Sequence, residues 1–116
     1  NLFLIPPIDY EKNLYLISQS HLILSDSGGI QEEAPSFGVP VVVMRKYTER
    51  MEGISSGFAT LAGQRPEDIE LAVSNWLNNL NDRQFLFSAS NPYGDGLASQ
   101  RIYERLVGCS SEEFDG

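Results

Sequence analysis

A Ser-Gly-Gly turn is the sharpest chemical feature of the amino-acid sequence. Ser27, Gly28 and Gly29 follow the apolar run His21–Leu24 and precede a helical pattern. The first backbone N–H groups of a helix have no partner within it, and glycines let an anion approach them closely. The Ser27 hydroxyl adds a further donor. These residues predict a phosphate or pyrophosphate site, although a plain strand-to-helix turn could use the same glycines to avoid strain.

Two carboxylates, Glu32 and Glu33, follow this turn within the predicted helix. A bound phosphate would repel a carboxylate that points at it, so at least one of the two must face another part of the ligand. The two hydroxyls of a ribose would suit such an acceptor. The alternatives are a helix-dipole partner beside a solvated acid, or an acid/base pair. The acid/base pair is disfavoured because neighbouring helical side chains point about 100° apart.

The segment Arg45–Arg50 holds three of the chain's eight Lys and Arg residues. It follows the run Val41–Met44, whose carboxyl end would lie at the edge where parallel α/β sheets bind ligands. Such local enrichment in an acidic chain predicts an anion site, with Arg50 or Arg45 as a bidentate phosphate partner. The alternative is a solvated loop that Glu49 and Glu52 neutralise.

Composition narrows the class of protein. The 116 residues allow one domain with a single core, and their formal charge of −8 argues against nucleic acid or an anionic membrane as a partner. One cysteine, Cys109, and one histidine, His21, exclude a disulfide framework and a Cys- or His-rich metal site. No apolar run approaches the ~20 residues of a membrane span. We therefore expect a reduced, cytoplasmic protein.

The first half of the chain alternates short apolar runs with helical patterns. The pattern predicts strands at Leu2–Ile5, His21–Leu24 and Val41–Met44, a helix from Tyr10 to about Ser20 capped by Asp9, and a short helix Ile30–Phe37 that ends at Gly38. Strands that lack polar alternation indicate a parallel sheet buried on both faces. The predicted fold class is thus a doubly wound, Rossmann-like α/β unit with helices flanking the sheet.

The second half continues this alternation. It predicts a loop over Arg45–Ser56 with room for one helical turn, a strand at Phe58–Leu61, an amphipathic helix from Pro66 to about Leu80, and further helices at about Asp82–Ser90 and Leu97–Val107. The apolar face of the long helix is predicted to comprise Ile69, Ala72, Val73, Trp76, Leu77 and Leu80. We expect residues 1–107 to form the domain and residues 108–116 to be an acidic, disordered tail.

Several of these motifs, in the same order and spacing, resemble the non-hydrolysing UDP-N-acetylglucosamine 2-epimerases. The likeness extends to about Val107 and rests on Ser25–Pro35, Gly38–Arg45, Thr48–Arg50, Glu52, Gly57, Gly63 and Asn91–Gly96. The resemblance implies the GT-B architecture, in which two Rossmann-like lobes bind a UDP-sugar between them. This chain would be a UDP-binding part of the C-terminal lobe with its final crossing helix, about a third of a homodimeric enzyme. Because the chain opens inside an apolar run, the sequence also suggests a piece of a longer protein.

The resemblance implies roles for individual residues. Ser27, Gly28, Gly29 and Arg50 would hold the UDP phosphates, and Glu33 would bind the ribose hydroxyls. Asn13 would lie near the uracil, where some members carry an aromatic side chain. Met51 also departs from the family, which usually has proline there.

The family reaction interconverts UDP-N-acetylglucosamine and UDP-N-acetylmannosamine by elimination and readdition of UDP, without a metal or other cofactor. The acid and base carboxylates and a phosphate-contacting histidine precede the matching segment in the family. We therefore assign no catalytic residue here and expect this span alone to be inactive. The alternatives are part of a GT-B glycosyltransferase or hydrolysing epimerase, and a non-catalytic nucleotide-binding or interaction module.

Overall fold

Three short parallel strands form the centre of the molecule. The computed structural model of the chain describes residues 1–79 and 84–114. Its sheet contains β1 (Ile23–Ser25), β2 (Val41–Val43) and β3 (Ala59–Leu61), in the order β1-β2-β3. Both pairings are parallel, so the carboxyl ends of all three strands lie at one edge. The structure confirms three of the four predicted strands to within two residues at each end.

The middle strand, β2, is buried on both faces of the sheet. Val41 and Val43 pack into a cluster with Ile17 and other residues that precede β2, whereas Val42 packs against Ala72 and its neighbours. Successive side chains of a strand point to opposite faces, so both faces need an apolar cover. Valine suits this position because its branched Cβ packs well on a pleated surface. The predicted burial on both faces is confirmed for β2 but not for the edge strands, where Leu24 is 45% and Leu61 36% exposed.

Four helices contribute to that cover: α1 (Tyr10–Gln19), α2 (Gly28–Glu33), α3 (Met51–Ser55) and α4 (Pro66–Asn78). A fifth helix, α5 (Ala98–Leu106), has no buried residue, and the chain also has a 3-10 turn at Ala34–Phe37 and helical backbone at 84–86. Asp9 caps α1 as predicted, because its side chain accepts a hydrogen bond from Lys12 N at 2.9 Å. No helix in these described ranges is both long and apolar enough to cross a membrane.

The helix predicted over Ile30–Phe37 begins two residues earlier and has two parts. Its α-helical part starts at Gly28 and ends at Glu33, and the 3-10 turn follows. Pro35 explains the change, because proline has no N–H to donate to the carbonyl four residues before it. The predicted end at Gly38 is confirmed, since Gly38 has the left-handed φ of 63°.

The strand predicted at Leu2–Ile5 is wrong. These four apolar residues are 60–92% exposed, and none of them lies in a strand. A strand needs a neighbour to pair its N–H and C=O groups, and the described residues provide none for this segment. An apolar run indicates a tendency to form a strand, but it does not show whether a neighbouring strand is present to pair with it.

The long amphipathic helix is confirmed, with a narrower buried face than predicted. Ala72 is buried, and Ile69, Val73 and Trp76 pack beside it. Leu77, in contrast, is 56% exposed. Leu80 lies outside the described residues, as do Asp82 and Arg83 at the start of the next predicted helix. The α5 helix is also found, and its stripe of Ala98, Ile102 and Leu106 is exposed.

An ion pair fixes the start of α5. Asp95 accepts hydrogen bonds from Arg101 Nη1 and Nη2 at 2.8 and 2.6 Å, and from Leu97 N at 3.0 Å. The Arg101 side chain first, and the Leu97 N–H second, hold the pKa of Asp95 well below its ordinary value. The carboxylate form is therefore favoured in the folded state.

This lowered pKa predicts a pH-dependent contribution to stability. The contribution of Asp95 should be complete above its ordinary pKa of 3.8 and lost progressively as the pH falls towards the folded-state pKa. In urea denaturation, Asp95→Asn should be less stable than the parent at pH 6, and the gap should narrow below about pH 4. Glu70→Gln, on α4, serves as a control. A gap that is equally large at pH 6 and pH 3 would contradict this assignment.

Gly38 yields a second prediction. Its φ of 63° disfavours a side chain, and an added Cβ would lie 2.9 Å from Phe87 Cδ1. Gly57→Ala is the matched control, since Gly57 has a φ of 81° with no atom within 4 Å of the added Cβ among the described residues. Gly57→Ala should cost about 1–2 kcal/mol through backbone strain. Gly38→Ala should cost roughly 1–3 kcal/mol more through overpacking, measured by the same denaturation. Equal losses would show that Phe87 moves aside freely.

Candidate functional site

Parallel pairing brings the Ser-Gly-Gly turn and the basic segment together. The turn follows β1, and the segment Arg45–Arg50 follows the neighbouring strand β2. Met44 N donates to Ser25 O at 3.0 Å, and this hydrogen bond joins the ends of β1 and β2 where the two segments leave the sheet. Both predicted anion-binding segments therefore start from the carboxyl edge of the sheet.

The Arg50 guanidinium lies against the backbone of Gly28. A Cβ built on Gly28 would lie 2.8 Å from Cζ of the Arg50 guanidinium and 3.0 Å from Nη2. A side chain at position 28 would displace the guanidinium from this place. The glycine thus leaves room for Arg50 to lie against the turn.

Two carboxylates contact the same guanidinium. Arg50 Nε donates to Glu32 Oε1 at 2.8 Å, and Arg50 Nη1 pairs with Glu49. A backbone hydrogen bond, followed by the charges of Arg50 and Arg45, lowers the pKa of Glu49. Glu49 therefore neutralises basic residues of its own loop, as the alternative interpretation expected. The Arg50 guanidinium nevertheless lies against Gly28.

The start of α2 contributes less charge than a long helix would. The α2 helix has six residues, so few aligned peptide dipoles add up at its N-terminus. Within the described part of the chain, the Ser27 hydroxyl makes no capping hydrogen bond to α2, and Ser27 N donates to Ser25 Oγ at 3.0 Å. Beside the turn, the Arg50 guanidinium is thus a stronger positive charge than the N-terminus of α2.

A buried amide-hydroxyl contact connects the two segments. Gln31 Nε2 donates to Ser27 O at 3.1 Å, and Thr48 Oγ1 donates to Gln31 Oε1 at 2.9 Å. The same Thr48 oxygen accepts from Arg50 N at 3.1 Å. Neither Gln31 nor Thr48 was predicted from the sequence to have a role. The available signal was a glutamine that follows Ile30 and precedes Ala34 on a short helix, because a buried amide must find partners.

The loop that contains Asn91 and Tyr93 makes hydrogen bonds to residues that follow the Ser-Gly-Gly turn and to the end of the basic segment. Asn91 Nδ2 donates to Glu32 O at 3.2 Å and to Ser36 Oγ at 2.7 Å. The Tyr93 hydroxyl donates to Arg50 O at 3.1 Å and accepts from Gly53 N at 2.9 Å. Partial burial raises the pKa of Tyr93, which keeps this hydroxyl protonated and able to donate. From the sequence, this motif indicated only the family resemblance and none of these contacts.

Glu33 lies next to the start of α1 and not against Arg50. The negative charge of Glu33 is the main reason that the pKa of Tyr10, the first residue of α1, is raised. Asn13 lies one turn further along α1 and is half-buried. Among the described side-chain hydrogen bonds, none joins Asn13 to the turn or to Arg50. The structure thus places Glu33 and Tyr10 together, with Asn13 on the same helix.

Other features of the structure do not coincide with this edge. A cavity of about 780 Å³ lies beside α3 and is lined by Met51, Glu52, Ser55, Ser56, Phe58, Phe85, Ala89, Ser90 and Pro92. The predicted site residues, all within the described ranges, do not line it. Over residues 1–79 and 84–114, no three His, Cys, Asp or Glu side chains gather to hold a metal ion.

Comparison with known proteins gives consistent matches. The family model described as UDP-N-acetylglucosamine 2-epimerase matches residues 1–107. A curated UDP-N-acetylglucosamine 2-epimerase of Yersinia pestis is 49% identical over 106 residues, which cover 91% of this chain and 28% of the relative. The chain thus spans less than a third of that relative's length.

Solved structures agree with this match. A UDP-N-acetylglucosamine 2-epimerase of Neisseria meningitidis, bound to UDP-N-acetylglucosamine, superposes with a TM-score of 0.80 at 43% identity, over 90% of this chain and 28% of that one. The enzyme of Methanocaldococcus jannaschii, in complex with UDP-N-acetylglucosamine and UDP, gives 0.76 at 38% identity, over 90% and 27%. The predicted fold class, a Rossmann-like sheet resembling the C-terminal lobe of a GT-B fold, is confirmed.

The Tyr93 hydroxyl gives a prediction for the site. Tyr93→Phe removes the donor to Arg50 O and the acceptor for Gly53 N, and leaves two partly buried backbone groups unpaired. We expect a loss of about 1–3 kcal/mol in the free energy of unfolding, measured by urea denaturation. Tyr15→Phe, at a side chain exposed on α1, is the control and should change little. Equal stability of the two variants would show that water replaces the hydroxyl.

Proposed function

We propose, from the premise that this chain belongs to the UDP-N-acetylglucosamine 2-epimerase family, that it binds the diphosphate of a UDP-sugar at the carboxyl edge of its sheet. Ser27, Gly28, Gly29 and the adjacent Arg50 would contact the phosphates together. The relatives from Neisseria meningitidis and Methanocaldococcus jannaschii, whose structures contain UDP-sugar or UDP, support this choice of ligand.

One observation carries the proposal. The Arg50 guanidinium lies so close to Gly28 that a methyl group there would be 2.8 Å from Cζ. A planar guanidinium beside bare backbone can present donors to a phosphate while the glycines leave the approach open. A solvated basic loop would not place a guanidinium, only 28% exposed, against the turn.

The nucleoside would extend from the phosphates towards α1. Glu33 is our candidate for the ribose hydroxyls, since a carboxylate accepts from both and lies on the side of Tyr10. Asn13 is our candidate neighbour of the uracil, which is supported by its place one turn after Tyr10. An amide there could offer hydrogen bonds where an aromatic ring would stack.

In the proposed reaction of the whole enzyme, UDP leaves C1 of the sugar with the bonding electron pair while a base removes the proton from C2. UDP then returns to C1, and a proton returns to C2 on the other face. Arg50 would stabilise the negative charge that develops on the departing phosphate. The carboxylates that move the C2 proton are not assigned among these 116 residues. We propose that this span alone binds UDP weakly and does not epimerise the sugar.

The wider biological setting is also a proposal. A cytoplasmic, homodimeric enzyme that supplies cell-surface polysaccharide synthesis without a cofactor would fit the family. Within the chain, residues 1–107 would form the ligand-binding unit, which is the span that the family model matches. Residues 108–116 would be an acidic tail outside it.

Calorimetric titration with UDP tests the phosphate site. Arg50→Ala should weaken UDP binding about 10- to 100-fold, because hydrogen bonds to a charged partner contribute about 1.5–3 kcal/mol. Arg65→Ala removes an equal charge from an exposed ion pair with Asp68 and should leave the affinity nearly unchanged. If both variants weakened UDP binding equally, the change in net charge would explain the effect and no specific contact with Arg50 would be needed. Equal binding by Arg50→Ala and the parent would remove Arg50 from the site.

A further inference from the structure

We infer that Thr48, acting with Gln31, is a positioning residue that holds Arg50 in place for the phosphates. This inference rests on the proposed function, because it concerns the same phosphate site. It assigns a role in ligand binding to two side chains that lie within the sequence motifs but have no role of their own there. Neither side chain needs to touch the ligand.

The inference starts from a continuous path of three hydrogen bonds. The path runs from Ser27 O to Gln31 Nε2 (3.1 Å), from Gln31 Oε1 to Thr48 Oγ1 (2.9 Å), and from Thr48 Oγ1 to Arg50 N (3.1 Å). Its two ends are the residues proposed to bind the phosphates. The carbonyl at one end opens α2, and the N–H at the other end belongs to Arg50 itself. The path therefore fixes the backbone of Arg50 relative to the turn, from which the guanidinium extends to Gly28.

Burial gives each bond a fixed direction. Gln31 is 1% exposed and Thr48 is 9% exposed, so water is a poor alternative partner for either side chain. The Gln31 amide nitrogen must donate to a carbonyl, which leaves its oxygen to accept the one hydroxyl proton of Thr48. The Thr48 oxygen then faces the Arg50 N–H with a lone pair. Loss of the hydroxyl would leave an acceptor and a donor unpaired.

The consequence for the ligand follows from the competing carboxylates. Glu32 and Glu49 both pair with the Arg50 guanidinium, and both are more exposed than Arg50. Without the Thr48 contact, the Arg50 backbone could shift with these partners and the guanidinium could leave Gly28. Loss of the Thr48–Arg50 hydrogen bond should therefore weaken binding of the UDP phosphates. It should leave binding of the nucleoside unchanged, because the nucleoside would bind on the side of Glu33.

The experiment compares Thr48→Val with Thr48→Ser in the same chain. Valine keeps the shape and removes the hydroxyl, whereas serine keeps the hydroxyl. UDP and uridine are titrated against each variant and the parent, with NMR chemical shifts used to follow weak binding. Thr48→Val should weaken UDP binding about tenfold, as expected for about 1.4 kcal/mol, and leave uridine binding unchanged. Thr48→Ser should bind both ligands as the parent does.

A double-variant comparison separates positioning from general loosening. In an Arg50→Ala background, Thr48→Val should have no further effect on UDP binding, because the guanidinium that it positions is gone. An undiminished effect there, or equal weakening of UDP and uridine, would overturn the inference. Should Thr48→Val fail to fold, Gln31→Met carries the same comparison, since it breaks the path at the amide with a side chain of similar length.

The remaining outcomes separate the two proposals. A parent chain that binds uridine but gains nothing from the phosphates of UDP would contradict the proposed phosphate site, and the inference with it. A parent that binds UDP through Arg50, with Thr48→Val binding equally well, would overturn the positioning role alone. In that case the proposed function would stand.

Discussion

The burial of β2 on both faces is the constraint on which the rest of this structure depends. Three consecutive valines with no exposed face require an apolar layer above and below the strand. Ile17 of α1 and Ala72 of α4 belong to the clusters on the two sides. Helical cover on both faces goes with parallel strands, and parallel strands leave the sheet at one common edge. The neighbourhood of the turn after β1 and the loop after β2 is thus a consequence of packing.

Packing alone, however, brings the two segments to the same edge without setting the distance between their side chains. That second step depends on polar contacts that each join parts distant in sequence. Gln31 joins α2 to Thr48, Asn91 joins the later loop to Glu32, and Tyr93 joins it to Arg50. Such contacts have strict directions, and a buried one leaves costly unpaired groups when it is broken. They define the position of the guanidinium more sharply than apolar contacts could.

Features that depend on neighbouring residues could be predicted from the sequence, whereas features that depend on a contact with a distant residue could not. The valine run, the Asp9 cap and the left-handed Gly38 could be predicted because each depends on neighbouring residues. The sequence of Leu2–Ile5 is as typical of a strand as the valine run, but a strand also needs a neighbouring strand to pair with. The glycine of the turn was predicted to open space for an anion, whereas its contact with Arg50 depends on two strands lying side by side. Gln31 and Thr48 were missed because seventeen positions separate a pair that only folding joins.

The acidic balance of the chain bears directly on the candidate site. The formal charge is −8, and two of the carboxylates already pair with Arg50. A phosphate must therefore replace or share these partners, and it gains only the difference between the two pairings. Because the pairs are partly exposed, water and salt reduce that difference further. A guanidinium that is well placed but already paired can select a diphosphate without binding it tightly. Tight binding of a UDP-sugar would then require further donors facing this edge and the exclusion of water, which strengthens each charge interaction.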